Sequence, residues 1–248
     1  MRVKDSRAVI RLSVNVNKVA TLRNARGGER PSVRRAAEVA IAAGCDGITV
    51  HPRPDERHIR RADVVELASW LPVELNVEGY PGEEWLELVE EVRPAQATLV
   101  PDPPDVLTSN AGWRFDTVDA GWLREIVARL GAAGCRVSLF LDPEPREVEG
   151  VVMAGADRIE LYTEAYARAY PTPDRDRVFA GYRRTAVRAI DAGLGVNAGH
   201  DLDLHNLRYF AEHLPGLLEV SIGHALVSDA LFLGLEPTVK AYVAALPR

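Results

Sequence analysis

His51, Glu78 and His200 are the residues of this sequence whose types and settings best suit proton transfer. A histidine near its ordinary pKa both takes and gives protons at neutral pH. A glutamate becomes a comparable base when burial raises its pKa. His51 closes the run G-I-T-V-H, Glu78 follows L-N-V, and His200 closes V-N-A-G-H. Histidine is scarce, with six in 248 residues. His224 closes a similar run, V-S-I-G-H, and His58 shares a loop with His51. His205 and His213 fall in a helical pattern and read as ordinary surface or core residues.

The two Gly-His pairs add a second kind of chemistry. Gly199 and Gly223 each stand between an apolar run and a helical pattern. Glycine lets a ligand approach the backbone closely. The free N–H groups and dipole of a following helix favour an anion. Both glycines therefore read as parts of anion-binding turns, with plain turn glycines as the alternative. Basic charge points the same way, since 27 arginines stand against three lysines, Lys4, Lys18 and Lys240. Arg23, Arg26, Arg53, Arg57, Arg60 and Arg61 gather near the first two strand ends, and a guanidinium fork suits phosphate or carboxylate. No H-x-H, H-E-x-x-H or cysteine pair occurs, so no metal site is expected. Lys18 is the lysine placed for a Schiff base, just past the first strand. Cys45 and Cys135 each follow Ala-Ala-Gly and open an apolar segment; they read as buried thiols in a reducing cytosol.

These residues need elements to hold them. Strand-like runs fall at residues 10–16, 47–51, 73–77, 95–100, 136–141, 158–162, 195–198 and 218–222. Helical patterns fall between them at 32–43, 61–70, 83–92, 120–132, 146–153, 175–192, 204–214 and 225–245. Strict alternation at about thirty residues per unit predicts a parallel α/β fold, here a (β/α)8 TIM barrel. Ala-Gly pairs at 43–44, 133–134, 154–155 and 192–193 end helical patterns just before strands, where glycine supplies a left-handed C-cap. The chain reads as one barrel domain over 1–248, with 1–9 as a short N-terminal extension. Active sites in such barrels sit at the carboxyl ends of the strands. Useful residues crowd that rim: Asn15, Asn17 and Lys18 after strand 1, Asp142 after strand 5, and Glu160 and Tyr162 in strand 6. Any one of them alone reads as a capping or core polar residue; the convergence is what favours a site. Two long loops, 15–31 and 101–116, lie on the same side and read as lids or binding loops.

Composition excludes several classes. A hydrophobic fraction of 47% and a charged fraction of 27% are ordinary for a globular enzyme. A net charge of −6 argues against a broad nucleic-acid or anionic-membrane surface. No stretch is apolar enough to read as a signal core or membrane span, so the protein is expected in the cytoplasm.

With the rim in view, the motifs N-V-N-K-V-A-T-L-R-N-A-R-G (15–27), D-G-I-T-V-H-P-R-P-D-E-R-H-I (46–59), L-N-V-E (75–78), V-S-L-F-L-D (137–142), I-E-L-Y-T (159–163), V-N-A-G-H (196–200) and I-G-H-A (222–225) resemble the pyridoxine 5′-phosphate synthase family in order and spacing. The resemblance implies a barrel with a few additional helices, assembled as a homo-oligomer, an octamer. It implies condensation of 3-amino-2-oxopropyl phosphate with 1-deoxy-D-xylulose 5-phosphate to pyridoxine 5′-phosphate, phosphate and water, without organic cofactor or metal. By the same resemblance His51 and Glu78 are proton acceptors and His200 a proton donor. Asn15, Asn17, Lys18, Arg26, Arg53, His58, Thr108, Asp201, Gly223 and His224 match substrate-binding positions. Some family members carry Asp-His where this chain has Asn17-Lys18, and glycine where it has Asp201. Asp201 brings a negative charge to an anion site unless its side chain caps the next helix. Two rivals stand beside this reading: a Schiff-base barrel aldolase using Lys18, and a non-catalytic barrel that binds phosphometabolites.

Overall fold

The computed structural model describes residues 9–102 and 111–247. Eight parallel strands close on themselves in sequence order: β1 (Arg11–Asn15), β2 (Gly47–Val50), β3 (Glu74–Gly79), β4 (Gln96–Leu99), β5 (Arg136–Leu141), β6 (Arg158–Tyr162), β7 (Gly195–Gly199) and β8 (Leu217–Ile222). β1 pairs with β8, Leu12 opposite Val220 and Val14 opposite Ile222, which completes the ring. The predicted TIM barrel is the fold. The extension expected at 1–9 lies, apart from Val9, outside the described residues.

Most strands alternate, and their two faces meet different surroundings. Leu12, Val14, Ile48, Val50, Val77, Leu99, Leu139, Leu161, Ala198 and Ile222 are almost fully buried under the helices. The other parity is largely polar and fills the barrel, with Phe140 of β5 an apolar exception. Ser13 and Thr49 hydroxyls are 2.6 Å apart, Thr98 donates to Asn76 Oδ1 at 2.9 Å, and Gln96 reaches across to Glu219 at 3.4 Å. Ion pairs of Arg11 with Glu74 and Glu219, and of Arg136 with Glu74, close the amino-terminal end. Such interiors are more often layered with branched apolar residues. Here most of the buried polar groups named above find partners within the barrel, as groups taken from water generally do. The fully buried Ser138 hydroxyl of β5 is an exception, with no hydrogen-bond partner among the described residues.

The helices are α1 (Asn17–Asn24), α2 (Val33–Ala42), α3 (Arg61–Trp70), α4 (Glu83–Val92), α5 (Ala120–Ala132), α6 (Val148–Ala154), α7 (Glu164–Ala169), α8 (Arg175–Asp191), α9 (Leu207–His213), α10 (His224–Leu233) and α11 (Leu235–Ala245). Three differences from the sequence reading stand out. The loop expected from Asn15 begins with helix α1, whose first turn is held by Asn15 Oδ1 accepting from the Asn17 N–H at 3.0 Å. An extra helix, α7, follows β6. The single helix expected at 225–245 is two, broken at Gly234, where φ is +86°. The Ala-Gly turns are as expected, with φ of +99° at Gly44 and +91° at Gly134, a region that favours glycine. Cys45 and Cys135 are buried, and burial pushes their thiols up to about 12 and about 11. Such thiols are inert at neutral pH.

Candidate active site

A cavity of about 310 Å³ opens at the carboxyl ends of the strands. It is lined by Asn15, Asn17 and Lys18 after β1, His51, Arg53 and His58 after β2, Glu78 in β3, His200 and Asp201 after β7, and Gly223 and His224 after β8. The three candidate catalytic residues and eight candidate binding residues thus meet in one place. Arg26 is exposed in the turn after α1 and does not line the cavity. Thr108 lies outside the described residues. Val100, Phe140, Glu160 and Ser221 complete the wall. Sequence reading noted Glu160 without giving it a role and passed over the other three. The signal was parity: Glu160 occupies in β6 the inward register that Glu78 occupies in β3.

His51 is held by its backbone. Its N–H donates to Asn17 Oδ1 at 2.9 Å, so Asn17 ties the end of β1 to the end of β2. The His51 ring lies edge-on to His58, with centroids 6.2 Å apart. Burial, then the positive charge of Arg53 and the other cations nearby, push the His51 imidazole well below its ordinary value. It is a neutral base at pH 7. Its Nδ1 is 3.8 Å from Glu78 Oε2. Burial pushes Glu78 up to about 7, against the lowering influence of His200 and of a 3.5 Å hydrogen bond from Ser221. Glu160 is raised well above its ordinary value by the same burial, and next by the charge of Glu78.

His58 accepts the Ile59 N–H on Nδ1 at 2.9 Å, leaving Nε2 as its donor. Burial, then Arg53 and Lys18, push it down to about 4. Its loop is anchored by Arg23, which donates to the His58 carbonyl at 3.1 Å and forms a buried two-pronged pair with Asp63 at 2.5 and 2.9 Å. Lys18, Arg53 and His58 make one wall of the cavity rich in donors, suited to phosphate.

A second part of the lining is Gly223 and the start of α10, after β8, the strand next to β1 in the ring. Gly223 immediately precedes the helix, as the anion-turn reading expects. A Cβ there would sit 3.0 Å from the Asn15 side chain. Gly199 is different. No helix starts beside it, because α9 begins only at Leu207. Residues 200–206 form a separate turn in which Asp203 Oδ1 accepts the N–H groups of His205 and Asn206, both at 2.9 Å. Gly199 is required by packing instead: a Cβ would fall 2.5 Å from Glu160 Oε1 and 2.9 Å from the Ser221 carbonyl. His200 next to it has φ of +97°, a conformation that costs a non-glycine residue about 1–2 kcal/mol. Asp201 does not cap a helix. Its Oδ2 lies 2.6 Å from His200 Nδ1.

Among the described residues, no group of three or more His, Cys, Asp or Glu side chains is arranged to hold a metal ion. None of the described helices is long and apolar enough to cross a membrane.

Comparison with known proteins gives the family and the fold. The model of the family described as pyridoxal phosphate biosynthesis protein PdxJ matches residues 12–248. The chain is 54% identical over 233 residues to the pyridoxine 5′-phosphate synthase of Bacteroides thetaiotaomicron, covering 94% of this chain and 97% of that one. It is 55% identical over 232 residues to the enzyme of the same name from Porphyromonas gingivalis, with the same coverage of 94% and 97%. Among solved structures it is similar to a 4-hydroxy-2-oxoglutarate aldolase from TTHB1, with TM-score 0.62 and 18% identity over 95% of this chain and 94% of that one. A phosphoribosyl anthranilate isomerase gives TM-score 0.59 and 14% identity over 95% and 97%. At such identities the likeness speaks for the barrel alone. The match along residues 12–248 and the relatives above half identity establish that the chain belongs to the PdxJ family.

Proposed function

We propose that the chain is a pyridoxine 5′-phosphate synthase, joining 3-amino-2-oxopropyl phosphate to 1-deoxy-D-xylulose 5-phosphate by general acid–base catalysis. The observation that carries the reading is the convergence of His51, Glu78 and His200 on one cavity whose lining also holds Lys18, Arg53, His58 and Gly223. Two phosphorylated substrates require two anion subsites. Lys18, Arg53 and His58 would serve one, and Gly223 with the first turn of α10 the other. Asn15 and Asn17 shape the floor between them.

Imine formation, loss of water and phosphate, and ring closure each move protons. His51, neutral because it is buried among cations, accepts them at Nδ1 or Nε2. Glu78, balanced near neutrality, takes a proton and returns it. His200 donates to departing oxygen. Each positioned group of this kind contributes roughly 10²–10⁴-fold. Glu160, buried in its protonated form, offers an O–H donor beneath the substrate.

The aldolase alternative requires a covalent bond to Lys18. Borohydride added with both substrates should leave Lys18 unmodified; a trapped adduct there would revive that alternative. The non-catalytic alternative requires loss of a catalytic group, and His51, Glu78 and His200 are all present. The deciding experiment is incubation of purified protein with the two substrates and identification of the product by mass. Pyridoxine 5′-phosphate with matching phosphate release is expected. Two bound substrates and no product would end the assignment.

The same reading carries a single catalytic domain acting in the cytoplasm as a homo-oligomer, by the family resemblance an octamer. Leu231, Phe232 and Leu233 at the end of α10 are 70%, 90% and 56% exposed. An exposed apolar run of this kind supports burial between copies.

A further inference from the structure

His200 and Asp201 are adjacent in sequence, yet both line the cavity. Adjacent side chains of an extended strand point to opposite faces. The left-handed backbone at His200, with φ of +97°, removes that alternation. It brings Asp201 Oδ2 to 2.6 Å from His200 Nδ1.

The turn is locked from β6. The fully buried Thr163 donates through Oγ1 to the Gly199 carbonyl at 2.8 Å, and the same oxygen accepts the Asp201 N–H at 3.2 Å. The Thr163 N–H also donates to the Gly199 carbonyl, at 3.2 Å. Asn206 Nδ2 donates to the Asp201 carbonyl at 3.3 Å. On its other side the imidazole meets Tyr162 edge-on, with ring centroids 5.1 Å apart. The backbone that carries the Asp201 carboxylate is therefore held from outside the pair, and the His200 ring has Tyr162 as a second neighbour.

We propose that Asp201 is a positioning residue: it accepts the Nδ1–H of His200, fixes the ring and dedicates Nε2 to proton transfer in the cavity. The proposal rests on the reading of His200 as a proton-transfer residue. It moves Asp201 from the substrate to the histidine. A carboxylate on one imidazole nitrogen selects the tautomer that leaves the other nitrogen bare when the ring is neutral. It also balances the positive charge when the ring is protonated. Asp201 thereby supports an acid that must be reloaded in every cycle. This resolves the difficulty of a carboxylate beside an anion subsite, because its charge is directed to the imidazole.

Two readouts separate this role from a structural one. The first is the tautomer of neutral His200, read from its ring ¹⁵N shifts and assigned by the signals lost in His200→Gln. The wild-type protein should hold the proton on Nδ1, and Asp201→Ala should move it to Nε2. The second is steady-state turnover. Asp201→Ala should lower kcat roughly 10- to 100-fold, a part of the contribution of a positioned acid, with KM changed less than about threefold. Asp201→Asn, which keeps an acceptor oxygen without charge, should fall between. Thr163→Val, with folding checked by its melting temperature, should lower kcat in the same direction. An Nε2–H tautomer in the wild-type protein would overturn the proposal. So would an Asp201→Ala variant with unchanged kcat and raised KM, which would mean that Asp201 holds substrate directly. The tautomer measurement needs no turnover, so it decides the pairing even if the protein made no pyridoxine 5′-phosphate.

Discussion

His51 Nδ1 stands 3.8 Å from Glu78 Oε2, beyond hydrogen-bond range but near enough for both to address one bound molecule. The two groups could form an ion pair, and burial opposes it from both sides. Desolvation pushes the imidazole well below its ordinary value and the carboxyl up to about 7. Near neutrality the proton of the pair belongs to the glutamate, and the histidine is a free base. A site that must move protons repeatedly gains from one group balanced near 7 and a second kept as a free base, the two not being spent on each other.

This balance has a stability signature. Glu78 has a folded pKa above its unfolded one, so its neutral form favours the fold at low pH. That contribution is lost as pH rises through about 7. Glu78→Gln removes the ionisation. It should raise the melting temperature at pH 8 and change it little at pH 5, with a gain at high pH of up to about 3 kcal/mol. Thermal unfolding of both proteins across that range is the check. A Gln variant less stable than wild type at pH 8 would contradict the burial of an unfavourable charge.

Asn17 gives a second test. Its Oδ1 accepts the His51 N–H at 2.9 Å, a bond that aspartate could also accept. Asn17→Asp should therefore retain most stability. Asn17→Ala leaves the amide without its partner, at about 1–3 kcal/mol, and should lower kcat by loosening His51. Paired denaturation and turnover measurements decide it. Equal effects of Asp and Ala would show that the oxygen does not matter.

Arg23 and Asp63 test the scaffold beneath His58. The pair is almost wholly buried, with side chains 3% and 10% exposed. Removing one partner of such a pair costs about 3–5 kcal/mol. Arg23→Ala should destabilise by that order and, by leaving the His58 carbonyl only its 2.8 Å bond from the Asn24 amide, loosen that loop and raise KM for the phosphorylated substrates more than it lowers kcat. A loss below about 1 kcal/mol would place the pair with ordinary surface bridges.

Much of the barrel could be read from the chain, because most strands have a strong, simple period. R-L-S-V-N, E-L-N-V-E and R-I-E-L-Y alternate without a break, and the four Ala-Gly turns mark where strands begin. His51, Glu78 and His200 were visible for the same reason, as polar residues at strand ends. What was missed depends on three-dimensional partners. The alternation was visible, but not that Gln96 and Glu219, 123 positions apart, would meet inside the barrel. Helix α1 was hidden by a segment that reads as a glycine- and arginine-rich loop. Asn15 supplies its first-turn acceptor. Gly199 and Gly223 look alike in sequence and do different work: one makes room for Glu160 and Ser221, the other opens a helix. The pairing of Asp201 with His200 depends on a backbone angle that residue types do not announce.

The most direct measurement of the central claim is the pH dependence of kcat for pyridoxine 5′-phosphate formation in the wild-type protein and in Glu78→Gln. With Glu78 as a proton acceptor, wild-type kcat should rise with pH through about 7 as its carboxyl ionises. The Gln variant should lose that limb and at least roughly 10²-fold in kcat while still binding both substrates. A Gln variant with wild-type turnover, or with the same limb near 7, would contradict the assignment of Glu78 to proton transfer.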